Sequence, residues 1–98
     1  DAAGAAAAFA EADRLTRQKA DAQAAVLAVG VGRQRLKDGD LPGAVERFRA
    51  ALALDGQNAD AHYQLGLALR RQGALREGHD HLAEAHRLAP FRFGPAGL

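Results

Sequence analysis

The sequence predicts an all-α protein, an α-solenoid of antiparallel helix pairs. Three observations carry this expectation. Only five of the 98 residues are aromatic and few are β-branched, so strands have little to build on. Sliding the chain by 34 residues lays 25–58 over 59–92 without a gap. Glycines then coincide twice, Gly32 on Gly66 and Gly39 on Gly73, alongside Ala25 on Ala59, Leu41 on Leu75, Ala51 on Ala85 and Leu54 on Leu88.

Each 34-residue unit reads as two helices. Gly39 and Gly73 end the first helix of each unit, since glycine takes the left-handed conformation that closes a helix at little cost. Asp40 then caps the next helix, with Pro42 inside its opening turn. Asn58 caps the first helix of the second unit after the breaker Gly56, and Pro90 stops the last helix. Gly32 and Gly66 fall inside first helices, and Ala44, Gly78, Ala51 and Ala85 inside second helices. Small residues there let paired helices approach closely, with Phe48 or Leu82 filling the space beside them. The expected division is 25–58 and 59–92 as repeat units and 93–98 as a tail.

Residues 1–24 allow two readings. Phe9, Ala12 and Leu15 have the spacing of Phe48, Ala51 and Leu54, and of Leu82, Ala85 and Leu88. They therefore read as the second helix of a truncated earlier repeat followed by a linker. Yet nothing between Thr16 and Asp21 makes a turn, so a single helix from Ala5 to Lys37 is the other reading, projecting Phe9 and Leu15 away from the body. The tail "FRFGPAGL" is too short and glycine-rich for a further helix, and Phe91 and Phe93 are placed either as a lid folded back on the repeats or as a loose terminus.

On these residues the chain resembles the tetratricopeptide repeat family over about two-thirds of its length. Its Leu-Gly, turn glycine, small residue, aromatic, alanine, leucine and proline pattern is met by Leu65–Gly66, Gly73, Gly78, Leu82, Ala85, Leu88 and Pro90. The earlier unit supplies Val31–Gly32, Gly39, Ala44, Phe48, Ala51 and Leu54. Departures are Ala28 and His62 in the aromatic slot of the first helices, Gly56 for proline and Gly78 for alanine. The resemblance implies a groove lined by first helices that binds a peptide, and its positions fall on Val26, Val29, Arg33, Leu36 and Lys37, then Asp60, Tyr63, Leu67, Arg70 and Arg71. The peptide-binding candidates are Val29, Arg33, Leu36, Lys37, Tyr63, Leu67, Arg70 and Arg71, apolar at one end and basic at the other. They suit an extended peptide with an acidic portion. The family's carboxylate-clamp version is disfavoured by Val29, Arg33, Tyr63 and Gln64.

Composition removes other classes. Thirteen basic residues against twelve acidic leave a net charge of +1, and the interleaved charges and scarce aromatics disfavour nucleic acid. No apolar run spans a bilayer, so no membrane insertion is expected. Arginine and alanine bias points to GC-rich bacterial coding, with the compartment open between cytoplasm and periplasm, and a start at Asp1 suits an excised piece. Without serine or cysteine there is little for nucleophilic catalysis, and His62, His79, His81 and His86 include no pair at chelating helical spacing. No catalytic residue, metal or cofactor is expected. The predicted role is a protein-interaction module for a protein or peptide partner. The alternative is an oligomerisation or docking segment of a larger, catalytic protein, self-associating through its terminal helices.

Overall fold

Turn chemistry sets where each helix begins and ends. In the computed structural model the backbone is described for residues 2–93 and the side chains for residues 10–93. Four helices follow in order: α1 (Ala2–Lys37), α2 (Leu41–Leu54), α3 (Ala59–Arg71) and α4 (Leu75–Leu88). Gly39 and Gly73 have φ of 80° and 87° and close α1 and α3. After α3, the Gly73 N–H donates to the Arg70 carbonyl at 3.0 Å and the Ala74 N–H to the Leu69 carbonyl at 2.9 Å. The same pair of bonds closes α1 at Gly39 and Asp40. They satisfy carbonyls that the end of a helix leaves without partners. The Asp40 carboxylate accepts the Gly43 N–H at 2.9 Å, and the Asn58 side-chain oxygen accepts the Ala61 N–H at 2.9 Å. Only α4 starts without a side-chain cap among helices with a described capping residue.

Packing follows chain order: α1 on α2, α2 on α3, α3 on α4, with a smaller contact between α1 and α3. The core runs through the middle of this stack. Phe48, Leu65 and Leu69 are its largest buried side chains, surrounded by Ala25, Val29, Ala44, Ala51, Ala61 and Ala68. Each large side chain taken out of water contributes about 1.5–3 kcal/mol. The alanines keep the helix axes near one another.

Gly66 and Gly78, both buried, bring the backbones of α3 and α4 into contact. A Cβ built on Gly66 would stand 2.8 Å from the Gly78 carbonyl oxygen and 2.7 Å from Leu82 Cγ. The contact is reciprocal, for a Cβ on Gly78 would stand 2.8 Å from the Gly66 carbonyl and 2.9 Å from Arg70 Cγ. In the first unit the neighbour is a side chain instead: a Cβ on Gly32 would collide with the Phe48 ring. Backbone thus meets backbone where α3 crosses α4.

Helix α1 passes through residues 16–21 without a turn. Its N-terminal half leaves the body, and every residue from Ala10 to Asp21 is exposed. The Phe9 side chain and residues 94–98 lie outside the described residues. Local pairs support this segment: Glu11 with Arg14 at 2.5 Å, Asp13 with Arg17, and the Thr16 hydroxyl on the Ala12 carbonyl at 2.9 Å. Each is worth only a few tenths of a kcal/mol, about 0.2–0.5, in an exposed helix.

The crossing yields a paired prediction. Gly66→Ala should lower unfolding free energy by about 1–3 kcal/mol, because the new methyl meets backbone that cannot yield. Gly30 has nothing within 4 Å of its missing Cβ. Gly30→Ala should therefore raise stability by about 0.5–1 kcal/mol. Urea denaturation of the two variants measures both signs.

Candidate functional site

The exposed side of the first helices carries the candidate peptide-binding residues, and the structure distributes them unevenly. Arg33 and Lys37 are exposed near the end of α1, with Leu36 half-buried against the core. Val29 is a correction: it is 5% exposed and belongs to the core, so it offers nothing to a ligand. Residue spacing alone put it on a stripe with Arg33 and Leu36, but that stripe turns inward at residue 29.

On α3 the grouping is tighter. Leu67, Arg70 and Arg71 line an open cleft of about 400 Å³ together with Leu75, the first residue of α4. Leu75 is 64% exposed and forms the apolar wall opposite Leu67. Its signal in the sequence was ambiguous, since a leucine opening a helix normally turns inward. Gly78 helps to place Arg70, whose Cγ passes over the space where a Cβ would sit. Arg33, Leu36 and Lys37 do not line this cleft. A second hollow, at the turn between α1 and α2, is walled by Arg35, Asp40, Pro42, Gly43, Glu46 and Arg47 and is polar throughout.

Tyr63 stands one turn before Leu67, and the segment after α4 folds back onto it. The Phe93 ring lies 4.5 Å from the Tyr63 ring at 18°, a stacked pair. The Arg92 guanidinium donates to Asp60 at 2.8 Å and also covers the Phe93 ring at 4.9 Å. Phe91 is fully exposed. Both members of the Arg92–Asp60 pair are over 40% exposed, so water screens it and it contributes at most about 1 kcal/mol.

Histidine pairing was not legible in the sequence. His62 on α3 and His81 on α4 meet with Nδ1 atoms 3.0 Å apart, although 19 residues separate them. The ring centres are 5.3 Å apart, a distance that the Nδ1 gap plus one ring radius at each end accounts for. The rings therefore meet end to end through a shared proton, more than they stack. His62 Nε2 lies 2.9 Å from the Gly56 carbonyl, which can only accept. Nε2 carries a proton, so neutral His62 accepts at Nδ1 and His81 Nδ1–H donates.

Charged groups from two helices, α2 and α4, surround this bond. Glu77 of α4 stands 3.8 Å from His81 Nε2 and pairs with Arg49 of α2 at 2.8 Å. The Arg49 hydrogen bond holds the Glu77 carboxyl below its usual range. Burial pushes His81 below its ordinary 6.5, and neighbouring His62 adds to this; Glu77 and Asp80 oppose it, while Arg49 reinforces it. Among the described residues no group of three or more histidine, aspartate or glutamate side chains could hold a metal ion. Among them, too, no helix is long and apolar enough to cross a membrane.

A family model for the TPR repeat, the tetratricopeptide repeat, matches residues 32–73, from the inner end of α1 to the end of α3. Among the curated proteins none matches the chain.

The lowered His81 pKa fixes a pH dependence. The unfolded chain takes up a proton near the ordinary 6.5, while the folded chain resists until lower pH. The stabilising contribution of neutral His81 is complete at neutral pH and is lost as pH falls below about 6.5 toward the folded value. Melting temperature should drop by a few degrees between about pH 7 and pH 5, and His81→Gln should flatten that slope. The Glu77 contribution falls in a separate window, below its ordinary 4.5. Calorimetry carried from about pH 7 down to about pH 3 distinguishes the two.

Proposed function

With residues 32–73 a tetratricopeptide repeat, we propose that the chain is a protein-interaction module that binds an extended acidic peptide along its first helices. The observation that carries this reading is the cleft in which Arg70 and Arg71 flank Leu67 and Leu75. Two guanidinium groups beside an apolar trough match a ligand that alternates carboxylates with one or two aliphatic anchors. Charge supplies steering and register, and burial of the anchors supplies affinity. Arg33 and Lys37 extend the basic strip toward the first unit, with Leu36 beside them. Tyr63 continues the trough, and a peptide reaching it must displace Phe93, held by the stacked rings and one screened ion pair.

The reading assigns no catalysis to the chain. The sequence has neither serine nor cysteine, and His62 and His81 are engaged in joining α3 to α4. Two repeat units offer little surface, so affinity should be weak, on the order of 10 to 1,000 µM.

A concrete test uses an acetylated hexapeptide alternating aspartate and leucine, titrated by calorimetry or heteronuclear NMR. Arg71→Glu and the Arg70→Glu/Arg71→Glu pair should each weaken binding at least tenfold with helicity retained. Arg47→Glu should leave it nearly unchanged, since Arg47 pairs locally with Glu46 at 2.8 Å. Arg49 is unsuitable as the control because it ties α2 to α4 through Glu77. Salt should weaken the charged component, because exposed charges are screened beyond about 8–10 Å. Equal binding of a peptide with lysine in place of aspartate, or loss of binding in Arg47→Glu alone, would place the ligand elsewhere.

A further inference from the structure

We propose that α1 is a self-association surface, on which two copies of the chain pair antiparallel about a two-fold axis at Ala20. The evidence begins with a comparison inside the molecule. The 34-residue equivalence matches Leu27 with Ala61 and Val31 with Leu65. Ala61 and Leu65 are 0% exposed, in one buried cluster with Phe48 and Ala51 of α2. Leu27 and Val31 are 72% and 46% exposed. The same repeat face is sealed in one unit and bare in the other, and what seals it is a second-type helix running antiparallel.

Among the described residues one segment of that type stands bare, with every residue from Ala10 to Asp21 exposed. Phe9 to Leu15 repeats the spacing of Phe48 to Leu54. It is continuous with the first unit inside α1, so it cannot fold back on its own Leu27 and Val31. On a second copy it can lie there. Counting outward from the turn between α2 and α3 brings Phe48 level with Leu65 and Ala51 level with Ala61, all four in one core cluster. Carried to the N-terminal segment, this register sets position 9 opposite Val31 and position 12 opposite Leu27. Both pairs centre on Ala20 to within one residue, which is what a two-fold axis requires.

The residues around that centre fit such a crossing. Thr16, Ala20, Ala24, Leu27 and Val31 share one row at helical spacing, and the small ones lie at the middle, where antiparallel helices come closest. An antiparallel two-fold sets each flank of the row against the same flank of the other copy, so Lys19 falls beside Lys19 on one side of the axis and Asp21 beside Asp21 on the other, exposed like charges that salt screens. From Phe9 to Val31 the overlap is about 33 Å long at 1.5 Å per residue, enough for a specific contact when both repeat faces are included.

The chain has no cysteine, so single cysteines report the geometry directly. Sedimentation equilibrium should show dimer rising between micromolar and millimolar chain, and Leu27→Glu/Val31→Glu should remain monomeric with unchanged helicity. Added salt should strengthen association, because it screens the like charges beside the axis, and Lys19→Gln/Asp21→Asn should strengthen it at low salt. Under air oxidation Ala20→Cys should form a disulfide-linked dimer much faster than Gln18→Cys, on the opposite side of α1. A chain monomeric into the millimolar range, with the two cysteine variants oxidising at equal rates, overturns the proposal. So does association that survives Leu27→Glu/Val31→Glu and is abolished by Phe91→Ala, which would place it at the other end.

Discussion

The contact between Gly66 and Gly78 is the constraint on which the second half of the molecule depends. With no side chain on either, the α3 and α4 backbones come close enough that a methyl would collide with a carbonyl oxygen. That spacing lets Leu82 bury beside the crossing and lets the Arg70 stem pass over Gly78. It also fixes how far apart His62 and His81 stand. Widening the crossing would stretch their shared-proton bond and shift the arginine that walls the cleft. Packing, a polar link and the candidate ligand site thus rest on one pair of absent Cβ atoms.

The polar link has its own logic. His62, His81, Glu77 and Arg49 form a run of contacts from the Gly56 carbonyl through α3 and α4 to α2. Each bond is modest because the chain of groups is partly wet. Together they tie three helices within one turn of the glycine crossing, since His62 lies four residues before Gly66 and His81 three after Gly78. Charged groups there set the order of the helices more than they add to total stability.

Much of the fold was legible because its signals are local. Gly39 and Gly73 require positive φ, Asp40 and Asn58 accept from backbone N–H groups three residues ahead, and the 34-residue period repeats these signals. The all-helical class and its paired helices follow from such rules. The site was less legible because exposure depends on neighbours. Val29 and Arg33 share a helix face, yet only one faces solvent. Leu75 was unremarkable in sequence and becomes a cleft wall because α4 starts at an angle that leaves its first residue outside. His62 and His81 meet only through the tertiary crossing, and no spacing rule spans 19 residues.

The stack of Phe93 on Tyr63 has a consequence for how unfolding is observed. The chain has one tyrosine and no tryptophan, so Tyr63 supplies nearly all of its near-ultraviolet signal. That ring sits at the edge of the molecule, beneath a segment held by a single stacked pair and a screened ion pair. Tyrosine fluorescence and near-ultraviolet dichroism therefore report the release of Arg92 and Phe93, and far-ultraviolet dichroism reports the helices. The two optical transitions need not coincide even when the helical body melts in one step, and their separation measures the grip of the terminal segment, not a folding intermediate.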